Sequence, residues 1–286
     1  MRVMVTGALG NVGSAVLQEL LNLGEAVVAA DIDTEKLKAR YTDKNVDIRR
    51  FDFTDQSTFA TALAGVDRVF LMRPPHLGKP EDLKPFILAM KQQGMALVSF
   101  LSLMGVENNP VPPHHKIEKM IEAEGIPYAH IRPSFFMQNV SGVHAYEIRE
   151  YNEIFVPAGN SRTSFIDAAD IGLAIATVLH NPDKYKNTAH TITGPEALNY
   201  HEVAEILSEV VGRPIRYARP SYLKYRSVYI KHRGLDKGYV NVTVMLYFMT
   251  RMGTAKQVTD DFQRLTGKAP RTFRQFAKAN KAAFTR

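Results

Sequence analysis

Cysteine is absent from all 286 residues, so no disulfide staples this fold and no thiolate serves as nucleophile or metal ligand. No apolar run approaches the ~20 residues needed for a membrane span. No internal repeat or low-complexity linker interrupts the chain. The N-terminus passes directly into a strand pattern, without the charged and apolar leader of a signal peptide. These absences lead to the expectation of a cytoplasmic globular protein with no membrane partner. Hydrophobic residues make up 45% and charged residues 23%, an ordinary balance that supplies a sizeable core.

The net charge of +7 conceals an asymmetry. From Arg213 to Arg286 there are 17 Lys/Arg and 3 Asp/Glu, a balance of +14, and the first 212 residues carry −7. Such a split suits an anionic substrate, a nucleic acid, a membrane surface, or a solvated helical surface facing an acidic partner domain. Arg213, Arg216, Arg219, Lys224, Arg226, Lys231, Arg233 and Lys237 crowd together, opposed only by Asp236. Tyr222, Tyr225 and Tyr229 are interleaved at helical spacing, which suits packing better than stacking on bases. No nucleic-acid-binding module is recognisable, so a nucleic-acid partner is not expected.

The most informative stretch is Gly7-Ala8-Leu9-Gly10-Asn11-Val12-Gly13, a G-x-x-G-x-x-G pattern. An apolar strand pattern, Val3-Met4-Val5, precedes it, and a helical pattern, Val12, Val16, Leu17 and Leu20, follows. Glycines at such a junction permit a tight turn and bring backbone N–H groups to a pyrophosphate at the positive helix end. The next apolar run, Ala26–Ala30, ends at Asp31, whose carboxylate suits a ribose 2′-hydroxyl and repels a 2′-phosphate. The expected cofactor is NAD(P), leaning to NAD, although Lys36 nearby offers a cation to a 2′-phosphate.

Strand and helix patterns alternate through residue 133. Strands are expected at 46–51, 66–72, 96–101 and 128–132, with helices at 56–63, 81–93 and 118–123. Strict alternation implies right-handed crossovers and a parallel sheet covered on both faces. The expected fold class is therefore α/β: a Rossmann-type doubly wound parallel sheet with a smaller C-terminal α/β lobe. The expected division is 1–133 plus about 163–193 for the dinucleotide-binding domain, and about 134–162 plus 194–286 for the smaller lobe. In the latter, Ser134–Tyr151 reads as helical, and Thr191–Pro195 as a strand leaving into a turn. Asn199 with Glu202 and Thr272 with Gln275 read as capping boxes that start helices.

Ligands in such sheets bind beyond the carboxyl ends of the strands. The cofactor residues expected there are Gly7, Leu9, Gly10, Asn11, Val12, Gly13, Asp31, Asp52, Phe53, Met72, Arg73 and Leu101. The proton-donor position is less regular. Short-chain dehydrogenases use a Tyr whose pKa is lowered by a Lys one helical turn on, and no Tyr lies between Ser102 and Ala123. His114-His115-Lys116-Ile117-Glu118-Lys119 stands there instead. The catalytic candidates are Ser102, His114 and Lys119, the histidine as a group that titrates near neutrality. Neighbouring histidines cannot share one helix face and no carboxylate cluster accompanies them, so no metal is expected.

The run His114–Val140, H-H-K-I-E-K-M-I-E-A-E-G-I-P-Y-A-H-I-R-P-S-F-F-M-Q-N-V, resembles the signature of the NmrA-like family of atypical short-chain dehydrogenases/reductases. The glycine motif, Phe165–Ile171, Thr193–Leu198 and Leu265–Phe273 are similar to further family blocks. The resemblance implies a cleft between a Rossmann domain and a small lobe. It also makes Phe135, Phe136 and Met137 substrate-pocket candidates. In the phenylpropanoid reductases of the family a Lys acts near the helix start, and counting back from Gly125 puts His114 at that position. Many NADP-using members carry Arg after the second strand, where this chain has Asp31. The resemblance implies an NAD(P)H-dependent oxidoreductase acting on a small carbonyl or quinone-like substrate. Two alternatives stay open: a dinucleotide-binding redox sensor that regulates a protein partner, and a nucleotide-sugar-modifying enzyme, which normally needs the missing Tyr.

Overall fold

The computed structural model describes residues 2–42, 45–74 and 77–285. Nine strands run along them: β1 (Val3–Thr6), β2 (Val27–Asp31), β3 (Val46–Arg50), β4 (Arg68–Leu71), β5 (Leu97–Leu101), β6 (Tyr128–Pro133), β7 (Glu153–Ile154), β8 (Thr188–Ile192) and β9 (Arg216–Tyr217). Seven form one sheet in the order β3-β2-β1-β4-β5-β6-β8, with every pair parallel. The central strands are buried along their whole length, as β1 and β4 show, because helices cover both faces. β3 lies at the edge and tolerates Asp47, Arg49 and Arg50. The strand order reverses between β1 and β4, so the carboxyl ends of these two strands flank the switch point.

The chain divides into two compact units. The first holds Met1–Pro133, Ala168–Ile192 and Asp261–Lys268. Its helices Asn11–Asn22 and Ala168–His180 pack closely on one another. A buried ion pair pins this layer. Arg68 donates to both carboxylate oxygens of Glu25 at 2.9 Å and to the Leu179 carbonyl at 2.8 Å, while His180 Nδ1 lies 2.7 Å from Glu25 Oε1. On the other face Phe51, Phe53, Phe59 and Phe86 form an aromatic cluster within the core.

The second unit holds Ser134–Asp167, Thr193–Asp260 and Ala269–Arg286. It contains the short parallel pair β7–β9 and a helical core rich in tyrosine. A buried polar chain runs through that core. The Tyr247 hydroxyl lies 2.8 Å from His144 Nε2, His144 Nδ1 lies 2.9 Å from Tyr229 Oη, and Tyr229 donates to Glu147 at 3.1 Å. Because Tyr229 spends its proton on Glu147, it accepts from Nδ1–H, and Nε2 accepts from Tyr247. Arg233 completes the chain on the other oxygen of Glu147.

Several boundaries differ from those expected. Residues 163–167 belong to the second unit, because Thr163 pairs with Leu198 and Phe136 with Ile166. Asp261–Lys268 belongs to the first, where Asp261 accepts from Thr191 N at 2.7 Å. The helix expected over Ser134–Tyr151 is two pieces, Gln138–Ser141 and Ala145–Tyr151, broken at Gly142 with ψ −100°. The last strand of the sheet occupies Thr188–Ile192 rather than Thr191–Pro195. Both expected capping boxes are present, at Asn199 and Thr272.

Candidate dinucleotide site and the family of the chain

The glycine loop sits where β1 hands over to the helix Asn11–Asn22, beside the switch point. Gly7 has φ +61°, a conformation that side chains resist, and an added Cβ would stand 2.7 Å from Met72 Sδ. Gly10 N donates to Gly7 O at 2.9 Å and closes the turn. A Cβ on Gly13 would meet the Gly7 carbonyl oxygen at 2.1 Å, so helix and loop touch backbone to backbone there. The N-cap Gly10 offers no side-chain acceptor, and no acidic residue occupies the first helical turn. The first N–H groups of this helix therefore face outward as free donors for an anion. Asn11 is exposed, Leu9 half-buried, and Val12 is buried as a core residue of the helix.

Asp31, half-buried at the end of β2, lies on the neighbouring strand and accepts from Ile32 N at 2.9 Å and Leu9 N at 3.5 Å. The expected rescuing cation, Lys36, is instead tied to Asp33 at 2.9 Å. Arg40 occupies the loop: its Nη1 donates to the Leu9 carbonyl at 3.1 Å. Its position could not be read from sequence, because it depends on how the Thr34–Tyr41 helix packs.

Next along the same sheet edge come Met72, Arg73, Leu101 and Ser102, after β4 and β5. Arg73 donates to the Leu77 carbonyl at 2.6 Å, yet its buried Nε has no partner among the described residues. Burial pulls its pKa down. Asp52 and Phe53 are taken up by the fold. Asp52 accepts from Thr54 N and Oγ1 at 2.8 and 2.7 Å, and the Phe53 ring packs edge-on against Phe51 and Phe86. The Phe53 side chain is buried in the core, 8% exposed.

The helix Pro113–Ala123 brings a buried pair to the same region. Arg132 donates to both oxygens of Glu118, at 3.0 and 2.7 Å. Burial alone would raise the Glu118 carboxyl, but the Arg132 hydrogen bonds outweigh it and hold the group below its ordinary value. Ser102 is 4% exposed, and its hydroxyl favours the Glu118 carboxylate without making a hydrogen bond of good geometry. Neither Glu118 nor Arg132 was picked out by sequence; only their place inside the His114–Val140 run marked them.

His114 is half-buried, with its Nδ1 enclosed and without a hydrogen-bond partner among the described residues. Burial, reinforced by Arg73, depresses its pKa to about 4. The imidazole is thus neutral at physiological pH, which removes the ready proton expected of it. Lys119 does not join it. Five residues on, it points ~140° away around the helix, exposed and paired with Glu122 at 2.7 Å. His115 Nδ1 lies 2.8 Å from the Val106 carbonyl. Among the described residues Glu118, Glu122 and His130 bring ligand atoms within 4.8 Å. Arg132 and Lys119 already hold the two carboxylates, so the cluster does not suit a metal ion.

In the second unit Met137 is 1% exposed and serves the core, whereas Phe135 and Phe136 are half-buried. The Phe135 ring is tilted against that of Tyr247, with 6.5 Å between ring centres.

Residues 1–239 match the NmrA-like family. The chain belongs to that family. It is 33% identical over 282 residues to prestalk A differentiation protein A of Dictyostelium discoideum, covering 97% of this chain and 92% of that protein. It is 31% identical to the NAD(P)H azoreductase of Xenophilus azovorans, with 99% of each chain covered. An NADPH-dependent quinone oxidoreductase of Escherichia coli, solved with NADPH, superposes with a TM-score of 0.87 at 22% identity over 99% of each chain, a shared fold. The Rossmann-type sheet and its glycine loop are thus those of an NmrA-like protein.

Proposed function

We propose that this NmrA-like protein is a cytoplasmic NAD(P)H-dependent oxidoreductase acting on a small quinone-like or carbonyl acceptor. The observation that carries it is the loop Gly7–Gly13, where a Cβ at Gly13 would stand 2.1 Å from the Gly7 carbonyl oxygen beneath an uncapped helix end. A pyrophosphate fits that cradle, and the similarity to an NAD(P)H azoreductase supports the same cofactor. Bound NAD(P)H supplies a hydride. Asp31 receives the adenosine ribose hydroxyls, which favours NADH, and Arg40 beside it keeps NADPH acceptable. Met72, Arg73, Leu101 and Ser102 line the cofactor along the strand ends.

His114 acts as a neutral hydrogen-bond partner that orients or polarises the acceptor, because its pKa of about 4 leaves no ionisable proton to give. The same neutrality favours acceptors that take their proton from water, quinone-like compounds above simple carbonyls. Phe135 and Phe136 are our candidates for contact with the acceptor. The test is oxidation of NADH and NADPH with a panel of quinones, azo compounds and aldehydes. Quinone turnover that loses its chemical step, and not its cofactor affinity, in His114→Ala supports the reading; unchanged turnover sinks the role of His114.

A further inference from the structure

None of the residues assigned above to the cofactor lies in the basic stretch near the C-terminus. Between Arg219 and Thr259 eight Lys/Arg stand against one acid, Asp236. This stretch folds as the helix Tyr222–Ser227, a π-helical turn Val228–His232 and the helix Lys237–Arg251. The long helix inverts the usual pattern. Its buried side is narrow, carrying Val240, Tyr247 and Thr250. The opposite arc carries Tyr239, Val242, Met245, Leu246 and Phe248, all exposed, with Met252 just beyond at 70% exposure. Between Tyr239 and Phe248 the only exposed polar side chain is Asn241. Solvent-facing arcs of helices are ordinarily polar.

Cations rim this arc. Arg226 Nε donates to Asn241 Oδ1 at 2.8 Å, and the Arg251 guanidinium lies 5.2 Å from the centre of the Tyr222 ring, itself against Phe248. Lys237 stands in the first turn of the helix, against the helix dipole. Lys224, Lys231, Lys237 and Lys256 are exposed, and none pairs with a carboxylate among the described residues.

We propose that this face docks on an anionic lipid surface. The apolar arc enters the boundary between headgroups and acyl chains, and the surrounding cations meet lipid phosphates. A second copy of the chain would set one basic rim against another, which charge repulsion opposes. An anionic bilayer supplies both an apolar layer and the opposite charge. Binding is peripheral: among the described residues no helix is long and apolar enough to cross a membrane.

The test is co-sedimentation of the full chain with phosphatidylcholine vesicles, with and without phosphatidylglycerol. No cofactor is needed, so the outcome is separate from that of the reductase assay. The expected result is binding to the phosphatidylglycerol-containing vesicles only, weakening as salt is added. Met245→Gln with Met252→Gln should lower that binding by at least ~tenfold. Lys224→Gln with Lys237→Gln should lower it by roughly twentyfold. These are surface substitutions, and unchanged thermal midpoints confirm that the variants fold. Absence of binding to anionic vesicles, or binding unaltered by both variant pairs, overturns the proposal. So does a dimer in solution that Met245→Gln with Met252→Gln dissolves, which assigns the face to a second copy.

Discussion

Buried histidines that stay neutral make this protein sensitive to acid. His130 and His144 lie in the two units, and burial depresses their pKa values from 6.5 to about 4 and about 3. In that window the unfolded chain binds more protons than the folded one, so stability is full above pH 6.5 and falls as pH drops toward 4. Urea-unfolding midpoints across that range should show the loss. His130→Phe should flatten part of it, and should add roughly 1 kcal/mol at neutral pH by removing two enclosed nitrogens that make no hydrogen bond of good geometry among the described residues, Glu122 Oε1 standing 3.5 Å from Nε2. An unchanged pH slope in that variant contradicts the account. In the proposed function Asp31 and Arg40 set the cofactor choice. Calorimetry should show NADH binding more tightly than NADPH, Asp31→Ala narrowing the difference, and Arg40→Ala costing NADPH more than NADH. A wild-type preference for NADPH would overturn the role given to Asp31. Asp31 was legible in the sequence because a strand end fixes its place, whereas Arg40 reaches the loop only through helix packing. The Glu118–Arg132 pair was equally hidden, since its members lie on a helix and a strand and meet only in the fold.

Among the elements, the β1–loop–helix unit was the most legible, because its glycines answer local demands of backbone geometry. Gly13→Ala tests it: the added Cβ must displace the Gly7 carbonyl, and NADH binding should weaken by at least ~tenfold, about 1.4 kcal/mol. A fluorescence titration that finds wild-type affinity refutes that geometry. Long-range contacts decide the less legible elements. The seventh strand of the sheet ends at Ile192, three residues before the expected end, since Asp261, distant in sequence, holds Thr191 N. The Ser134–Tyr151 segment has helical composition, but pairing of Phe136 with Ile166 and the turn at Gly142 divide it. Arg68 illustrates a tertiary staple that periodicity does not reveal. Arg68→Met leaves Glu25 with His180 alone and frees the Leu179 carbonyl, and should cost roughly 1–3 kcal/mol in unfolding free energy. Adding Glu25→Leu should recover much of that loss; a double variant as unstable as the single would show that packing, and not the Glu25 charge, sets the cost.

At the scale of the whole molecule, strict strand–helix alternation made the seven-stranded parallel sheet legible, and the His114–Val140 run made the family legible. The second unit was less so, because its core is built from tyrosines and a buried His144–Glu147–Arg233 chain with no simple period. In the proposed function cofactor holding rests on backbone geometry, and catalysis on side chains that depart from the Tyr–Lys pattern. The two can therefore come apart, and a cofactor-binding protein without turnover is the clear rival, motivated by the missing Tyr–Lys pair beside an intact glycine loop. The most direct measurement is an anaerobic single turnover. The protein is loaded with one equivalent of NADH, mixed with a quinone, and the nicotinamide absorbance is followed. Oxidation of the bound NADH much faster than that of free NADH, and slowed by His114→Ala, is the result predicted. Stoichiometric NADH binding with no acceleration by any quinone, azo or carbonyl acceptor would contradict the reductase and make the protein a sensor of its cofactor.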